Sequence, residues 1–276
     1  MKPGFFAASI LVAVGSFARC DVFNAAPPAA TDEQGFRIHE IRSQFQVGTT
    51  RVRVLAPEPI APRRRYRSIY VLPVEAGSGT HWGDGLLEIK KHDLHNQHQA
   101  IFVAPEFSNL PWYADHPTDR AIRQESYLLQ DVVPMIEAKY PIEPGRKGRL
   151  LLGFSKSGWG AWSLLLRHPD VFARAAAWDA PFDLDRPGPF GSGPIFGTPE
   201  NFKQYQVREL LRQKAGSLGA DKRLILTGFG SFGEDHRRMH ALLDELRIPH
   251  EHRDGPQRKH DWHSGWVAEA VQLLVQ

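Results

Sequence analysis

Residues 151–162 read LLGFSKSGWGAW. An apolar run ending in Leu151 and Leu152 enters a corner of small residues and leaves through a segment with helical patterning. A serine hydroxyl is a weak nucleophile until a base removes its proton. It must also stand clear of the backbone that carries it. A strand-to-helix corner achieves this when small residues lie two positions before and after the serine, because strand and helix approach closely there. Gly153 fills the first position. Ser157 fills the second, where glycine is commoner, and Gly158 and Gly160 keep the corner open. The plainer reading is a helix N-cap supplied by Ser155 or Ser157, so the choice rests on the rest of the chain.

The strand that feeds this corner belongs to a series. SIYVLPV (68–74), AIFVAPE (100–106), RLLLGFS (149–155), RAAAWDA (174–180) and RLILTGFG (223–230) are short, nearly continuous apolar runs, as strands covered by helices on both faces are. Helical patterns lie between them. In 122–140, Ile122, Leu129, Val132, Val133, Ile136 and Tyr140 share a face that Pro134 interrupts. In 236–246, Met239, Leu242, Leu243 and Leu246 follow helical spacing, and in 264–275 so do Trp266, Val267, Val271 and Leu274. This alternation predicts one α/β domain over 36–276, with a doubly wound, mostly parallel sheet. FRIHEIRSQF (36–45) and TTRVRVLAP (49–57) alternate apolar and polar residues, which predicts a leading antiparallel hairpin. The Pro- and Gly-rich stretch 181–200 reads as a long connection at the end of the sheet where ligand loops collect.

Reactive groups of such a sheet gather at the carboxyl ends of its strands. Three loops there carry candidates. Ser155 is the nucleophile. Asp235, in GSFGEDHRRMH (230–240), stands after a strand and could orient an imidazole; alternatively it is an acid in a first helical turn. His260, in RKHDWHSGW (258–266), precedes the last helix and is the candidate base, whereas His263 reads as a solvated loop residue. The order Ser155, Asp235, His260 is that of nucleophile, acid and base in α/β-hydrolases. Asp179, closing RAAAWDA, is the rival acid from an earlier strand.

These pieces resemble the putative esterase family of α/β-hydrolases, the esterase D-like group with its feruloyl and acetyl-xylan esterases and mycolyltransferases. The likeness spans roughly 36–276. It is carried by SIYVLPVEAGSG, IFVAPEF with PWYADHP, RQESYLLQDVVPMIEAKYP, LLGFSKSGWGAWSLLLRHPDVFARAAAWDAP and the segment from Gly233 to Trp266. GFSKSGWGA matches the family's elbow except at Ser157, and His260, Trp262 and Trp266 resemble its closing histidine–tryptophan feature with one extra residue. The resemblance implies the α/β-hydrolase fold, ester hydrolysis by Ser155, Asp235 and His260, and an oxyanion site built from the backbone amides of Lys156 and of Val74 or Glu75. Where the family often has a His-Gly pair this chain has LPVEAGSG, which brings the carboxylate of Glu75 toward a site that must stabilise negative charge. Trp112, Tyr113 and Trp159, with Phe190 and Phe196, are candidates to line a substrate cleft. Acyl transfer to a sugar or lipid alcohol, or ligand binding without catalysis, would use the same fold.

The chain of 276 residues carries a formal net charge of +3, with 42% hydrophobic and 24% charged residues. That is an ordinary globular balance without a nucleic-acid footprint. No phosphate loop or dinucleotide fingerprint follows a strand, and no cofactor is expected. His92, His95 and His98 recur every three residues, and His236 and His240 stand one helical turn apart. Neither set shows a carboxylate and a third ligand at matching spacing, so no metal is expected. Lys2 followed by FFAASILVAVGSFA (5–18) reads as a signal peptide of about residues 1–20, with 21–35 as a mature tail. Export to the periplasm or medium follows from that reading. Cys20, the single cysteine, could instead be a lipidation site, although Arg19 precedes it. No other stretch is apolar enough to span a bilayer. Partners are then small-molecule or polysaccharide esters.

Overall fold

The computed structural model describes Met1 and residues 30–276. The expected signal peptide, Cys20 and most of the expected tail lie outside the described residues. Among the described residues no helix is long and apolar enough to cross a membrane.

The strands of the described residues form one nine-stranded sheet of order β1-β2-β3-β5-β4-β6-β7-β8-β9. These are β1 (Ala30–Thr31), β2 (Arg37–Arg42), β3 (Thr49–Leu55), β4 (Arg67–Leu72), β5 (Ala100–Pro105), β6 (Arg149–Phe154), β7 (Arg174–Trp178), β8 (Leu224–Thr227) and β9 (His250–Arg253). From β5 to β9 every pairing is parallel, while β1, β2 and β3 pair antiparallel and β3 joins the rest by an antiparallel edge to β5. This is the doubly wound sheet with a leading hairpin that the apolar patterning predicts. Residues 30–31, read as tail, instead add a short strand to that hairpin, and the Asp32 carboxylate closes the turn by accepting from the amides of Gln34 and Phe36.

The helices cover both faces. α1 (Gly85–Lys91), α2 (Leu94–Gln97) and α10 (Val267–Val275) lie on one side. The other side carries α3 (Gln124–Tyr127), α4 (Val133–Lys139), α5 (Lys156–Arg167), α6 (Gly193–Phe196), α7 (Pro199–Lys203), α8 (Val207–Lys214) and α9 (Gly233–Glu245). A π turn at Leu128–Val132 joins α3 to α4, so Pro134, with no N–H to donate, sits in the first turn of α4. Along each central strand, successive side chains enter opposite cores. Tyr70 and Leu72 face α5, while Ile69 and Val71 face α1 and α10. Two buried faces leave no polar alternation to read, which explains the unbroken apolar runs.

α5 lies unusually close to the sheet. A Cβ on Gly153 would stand 2.2 Å from the Ser157 carbonyl oxygen, and one on Gly158 would meet the methyls of Ala177 and Ala180 at 3.1 and 3.2 Å. The glycines, with Ala177 of β7 and Ala180 just after it, are the residues that allow this approach, and it thrusts the turn at Ser155 out of the sheet's carboxyl end.

Candidate active site

Ser155 sits between β6 and α5 with φ 54° and ψ −131°. This is a sparsely populated conformation for a residue with a side chain, costing on the order of 1–3 kcal/mol, and such strain gathers at functional sites. The turn is held by its neighbours. The Ser155 N–H donates to Trp178 O at 3.1 Å. The Ser157 hydroxyl accepts from Phe154 N at 2.9 Å and donates to Phe154 O at 2.8 Å. A buried N–H left without an acceptor costs about 1–3 kcal/mol, and Ser157 supplies that acceptor where the sheet ladder ends. Serine in place of the usual glycine therefore braces the elbow. Neither serine side chain caps α5.

His260 lies in the loop between β9 and α10. It shares with Ser155 a cavity of about 350 Å³, also lined by Trp82, Lys156, Pro181, Phe190, Ser231 and Phe232. The imidazole is packed by Phe154 at 4.6 Å, Trp82 at 5.1 Å and Phe232 at 5.5 Å between ring centroids. Its loop is pinned on two sides. Trp262 N donates to Trp82 O at 2.9 Å, and His263 Nδ1 pairs with the buried Glu88 carboxylate at 2.8 Å. His263 is thus tied to α1, although its ring is half in solvent.

The carboxylate beside His260 is Asp179. Its Oδ2 stands 2.5 Å from His260 Nδ1. Asp179 is almost wholly buried at the end of β7, with φ 44°, and accepts from the amides of Ser231 at 3.0 Å and Phe232 at 2.7 Å. Burial opposes its ionisation, but the imidazole and the amides of Phe232, Gly230 and Ser231 outweigh it and hold the carboxyl below its ordinary range. A carboxylate bonded to Nδ1 leaves Nε2 as the nitrogen free to take a proton from a hydroxyl.

The structure does not bring Asp235 to His260, which corrects the sequence expectation. β8 ends at Thr227 and five further residues precede α9, so Asp235 falls inside the helix rather than at the strand exit. There its Oδ2 accepts from Asp183 N at 2.9 Å, tying α9 to the loop after β7. Burial raises its carboxyl above the usual range. The rival Asp179, which closes the preceding strand, occupies the position beside the imidazole.

The candidate oxyanion groups divide. Lys156 lines the cavity, and its N–H, at the first position of α5, has no intrahelical acceptor. Val74 and Glu75 do not appear in the cavity wall. Lys156 Nζ donates to Val74 O at 3.1 Å, and because C=O and N–H of a trans peptide point oppositely, that bond also orients the Glu75 N–H. Burial lowers the Lys156 pKa, with Glu75 acting against it. The Glu75 carboxylate accepts from Trp82 N at 3.1 Å. Its charge is therefore spent holding the loop that presents Trp82. Tyr113 donates its hydroxyl to Pro73 O and so braces the same turn from below.

Trp112, Tyr113 and Trp159, expected to line a cleft, are instead core residues. Trp112 and Trp159 meet edge to face at 5.5 Å, Trp159 stacks on Phe202, and Phe196 is buried among them. Trp159 stands on α5 itself and the others share its core cluster, and none of them lines the cavity at Ser155. Of the expected aromatics only Phe190 reaches the cavity, where it meets Phe232 edge to face at 5.6 Å. The aromatics that sequence reasoning missed, Trp82 and Phe232, share one cue. Each is a large apolar residue in a polar, glycine-containing loop after a strand's carboxyl end, where no core needs it.

A carboxylate-bound imidazole that shares one cavity with an elbow serine defines the serine-esterase class of the α/β-hydrolase fold. The family described as "Putative esterase" matches residues 96–241, and the chain belongs to that family. No curated protein matches the chain. Among solved structures, an S-formylglutathione hydrolase from Staphylococcus aureus superposes with TM-score 0.71 at 18% identity, over 88% of this chain and 99% of that one. A ferulic acid esterase gives TM-score 0.68 at 19% identity, over 87% and 96%. An S-formylglutathione hydrolase from Agrobacterium tumefaciens gives 0.65 at 15%, over 87% and 94%. At these identities the likeness speaks for the fold.

Proposed function

We propose that this esterase works through an acyl-enzyme on Ser155, with His260 as general base and Asp179 as the acid that fixes the imidazole. The observation that carries the reading is the arrangement of the strained Ser155 in one cavity with a His260 whose Nδ1 is bound by a buried, amide-held carboxylate. His260 Nε2 takes the Ser155 proton as Oγ attacks the ester carbonyl. The oxyanion is met by the Lys156 amide, which lines the cavity. The imidazolium, stabilised by Asp179, protonates the leaving alcohol as the acyl–oxygen bond breaks. Water, deprotonated by the same imidazole, then attacks the acyl-enzyme and releases the acid and the free Ser155.

The cavity is small and mostly apolar, walled by Trp82, Phe190, Phe232 and Pro181. Such a wall suits a flat or apolar acyl or alcohol group on a small-molecule or polysaccharide ester. That a ferulic acid esterase and S-formylglutathione hydrolases share this fold supports such a reading. The apolar run at 5–18 supports export of the mature protein.

Fluorophosphonate labelling with peptide mapping tests the mechanism. Ser155 is labelled in the wild type, and labelling is lost in Ser155→Ala and at least about 10³-fold slower in His260→Ala. A folded wild type that takes no label at Ser155 refutes the acyl-enzyme and leaves a binding protein on a hydrolase scaffold.

A further inference from the structure

On the far side of α9 from Asp235, three side chains converge that the esterase reaction does not use. His240 and Asp244 stand one turn apart on α9, and His250 opens the edge strand β9. His240 Nδ1 lies 2.8 Å from His250 Nε2, and His240 Nε2 lies 3.6 Å from Asp244 Oδ2. One ligating atom from each residue can be chosen so that all lie within 4.8 Å of one another.

Two details make this more than a chance meeting of histidines. His250 Nδ1 donates to Ile248 O at 2.8 Å, which fixes the tautomer and leaves the lone pair on Nε2, facing the cluster. Metal-binding imidazoles are commonly oriented in this way, by a carbonyl on the far nitrogen. His252 stacks on the His240 ring with centroids 3.8 Å apart and limits its swing. At 2.8 Å the two facing nitrogens share one proton. A divalent ion in place of that proton needs a tetrahedral nitrogen separation of about 3.3 Å for bonds of about 2.0–2.1 Å, an opening that small side-chain rotations supply.

We propose that His240, Asp244 and His250 form a binding site for a divalent transition-metal ion of the Zn²⁺ type, with water completing the coordination. Two imidazoles and one carboxylate are the donor set such ions prefer over Mg²⁺ or Ca²⁺. The ion would join α9 to β9, the two elements that flank the loops carrying Phe232 and His260, as a structural clasp outside the esterase chemistry. The sequence concealed it because His250 comes from the next strand, not from the helix that carries the other two.

The test uses the mature chain stripped with EDTA and then titrated with Zn²⁺ by equilibrium dialysis, and with Co²⁺ by visible absorption. The wild type binds one Zn²⁺ at this site and shows the intense ligand-field bands of low-coordinate Co²⁺. Zn²⁺ affinity falls in His240→Gln and His250→Ala by at least the 10–100-fold expected for losing even an outer partner of a metal ligand. Asp244→Asn weakens binding less. Esterase activity in EDTA stays at the wild-type level in all three and shows that they fold. Should a variant fail to fold, protection of His240 and His250 from diethylpyrocarbonate by Zn²⁺ in the wild type gives the same answer. Equal Zn²⁺ binding by wild type and folded variants, or no protection and an aquo-like Co²⁺ spectrum in the wild type, overturns the proposal.

Discussion

At the residue scale, His260 has two acidic candidates in the sequence and one in space. Asp179 accepts its Nδ1–H together with two backbone amides, whereas Asp235, on α9, binds the Asp183 amide in the loop after β7. Asn at 179 would keep an acceptor for one amide but present the wrong group to the imidazole. Asp179→Asn therefore lowers kcat for a p-nitrophenyl ester on the order of 10³–10⁴-fold, while Asp235→Asn changes it by less than about tenfold. Equal losses in the two variants would remove Asp179 from its proposed role. The corner at Ser155 and the loop position of His260 were readable in sequence because small residues around a corner, or a histidine before a terminal helix, are local features. The choice between Asp179 and Asp235 was not, since it depends on which of two loops lies over the imidazole.

At the scale of elements, α9 is locked to the end of β7 through His236. Its Nε2 accepts from Ala180 N at 2.9 Å, next to Asp179, and the ring is buried against Phe182. Burial, opposed by Asp179 and helped by His252, pushes its pKa down to about 4. A histidine neutral in the fold to about pH 4 but titrating near 6.5 when unfolded binds more protons in the unfolded chain between those values. Its contribution to stability is thus complete above about pH 6.5 and is lost as pH falls toward 4. Urea midpoints of the wild type should drop across that window, and His236→Asn, which keeps a polar group there but no titrating ring, should flatten the drop. An unchanged slope in the variant counts against this account. The sequence placed His236 on a helix one turn from His240, yet the two face different partners. Helical spacing orders positions around an axis; it does not say what packs outside it.

For the whole molecule, the helical layer over the elbow is fastened at Glu125. Its carboxylate receives Arg167 Nε and Nη2 at 2.9 and 3.0 Å, the Tyr205 hydroxyl at 3.1 Å, and His168 Nε2. α3, the end of α5 and the segment before α8 meet on this one group. Burial works against the charge, but His168 and Arg167 prevail and bring the Glu125 pKa down to about 2. A depressed carboxylate stabilises the fold fully above its unfolded value near 4.5, and this is lost as pH falls toward 2. Glu125→Gln should therefore unfold at lower urea than the wild type at pH 7, with the gap narrowing from about pH 4.5 downward. A gap that does not depend on pH would mean that shape rather than charge is what Glu125 provides.

The parallel sheet, its leading hairpin, the serine corner and the histidine loop all followed from the sequence alone. Each rests on rules that act over a few residues: period, small residues at a tight approach, proline without an N–H. The tertiary structure alone decided which aspartate meets His260, which aromatics wall the cavity and which fill the core, where Glu75 turns its charge, and that His250 joins His240 and Asp244. Those outcomes depend on contacts between loops and helices distant in the chain. Such contacts are set by the packing of the entire fold, so no local pattern encodes them.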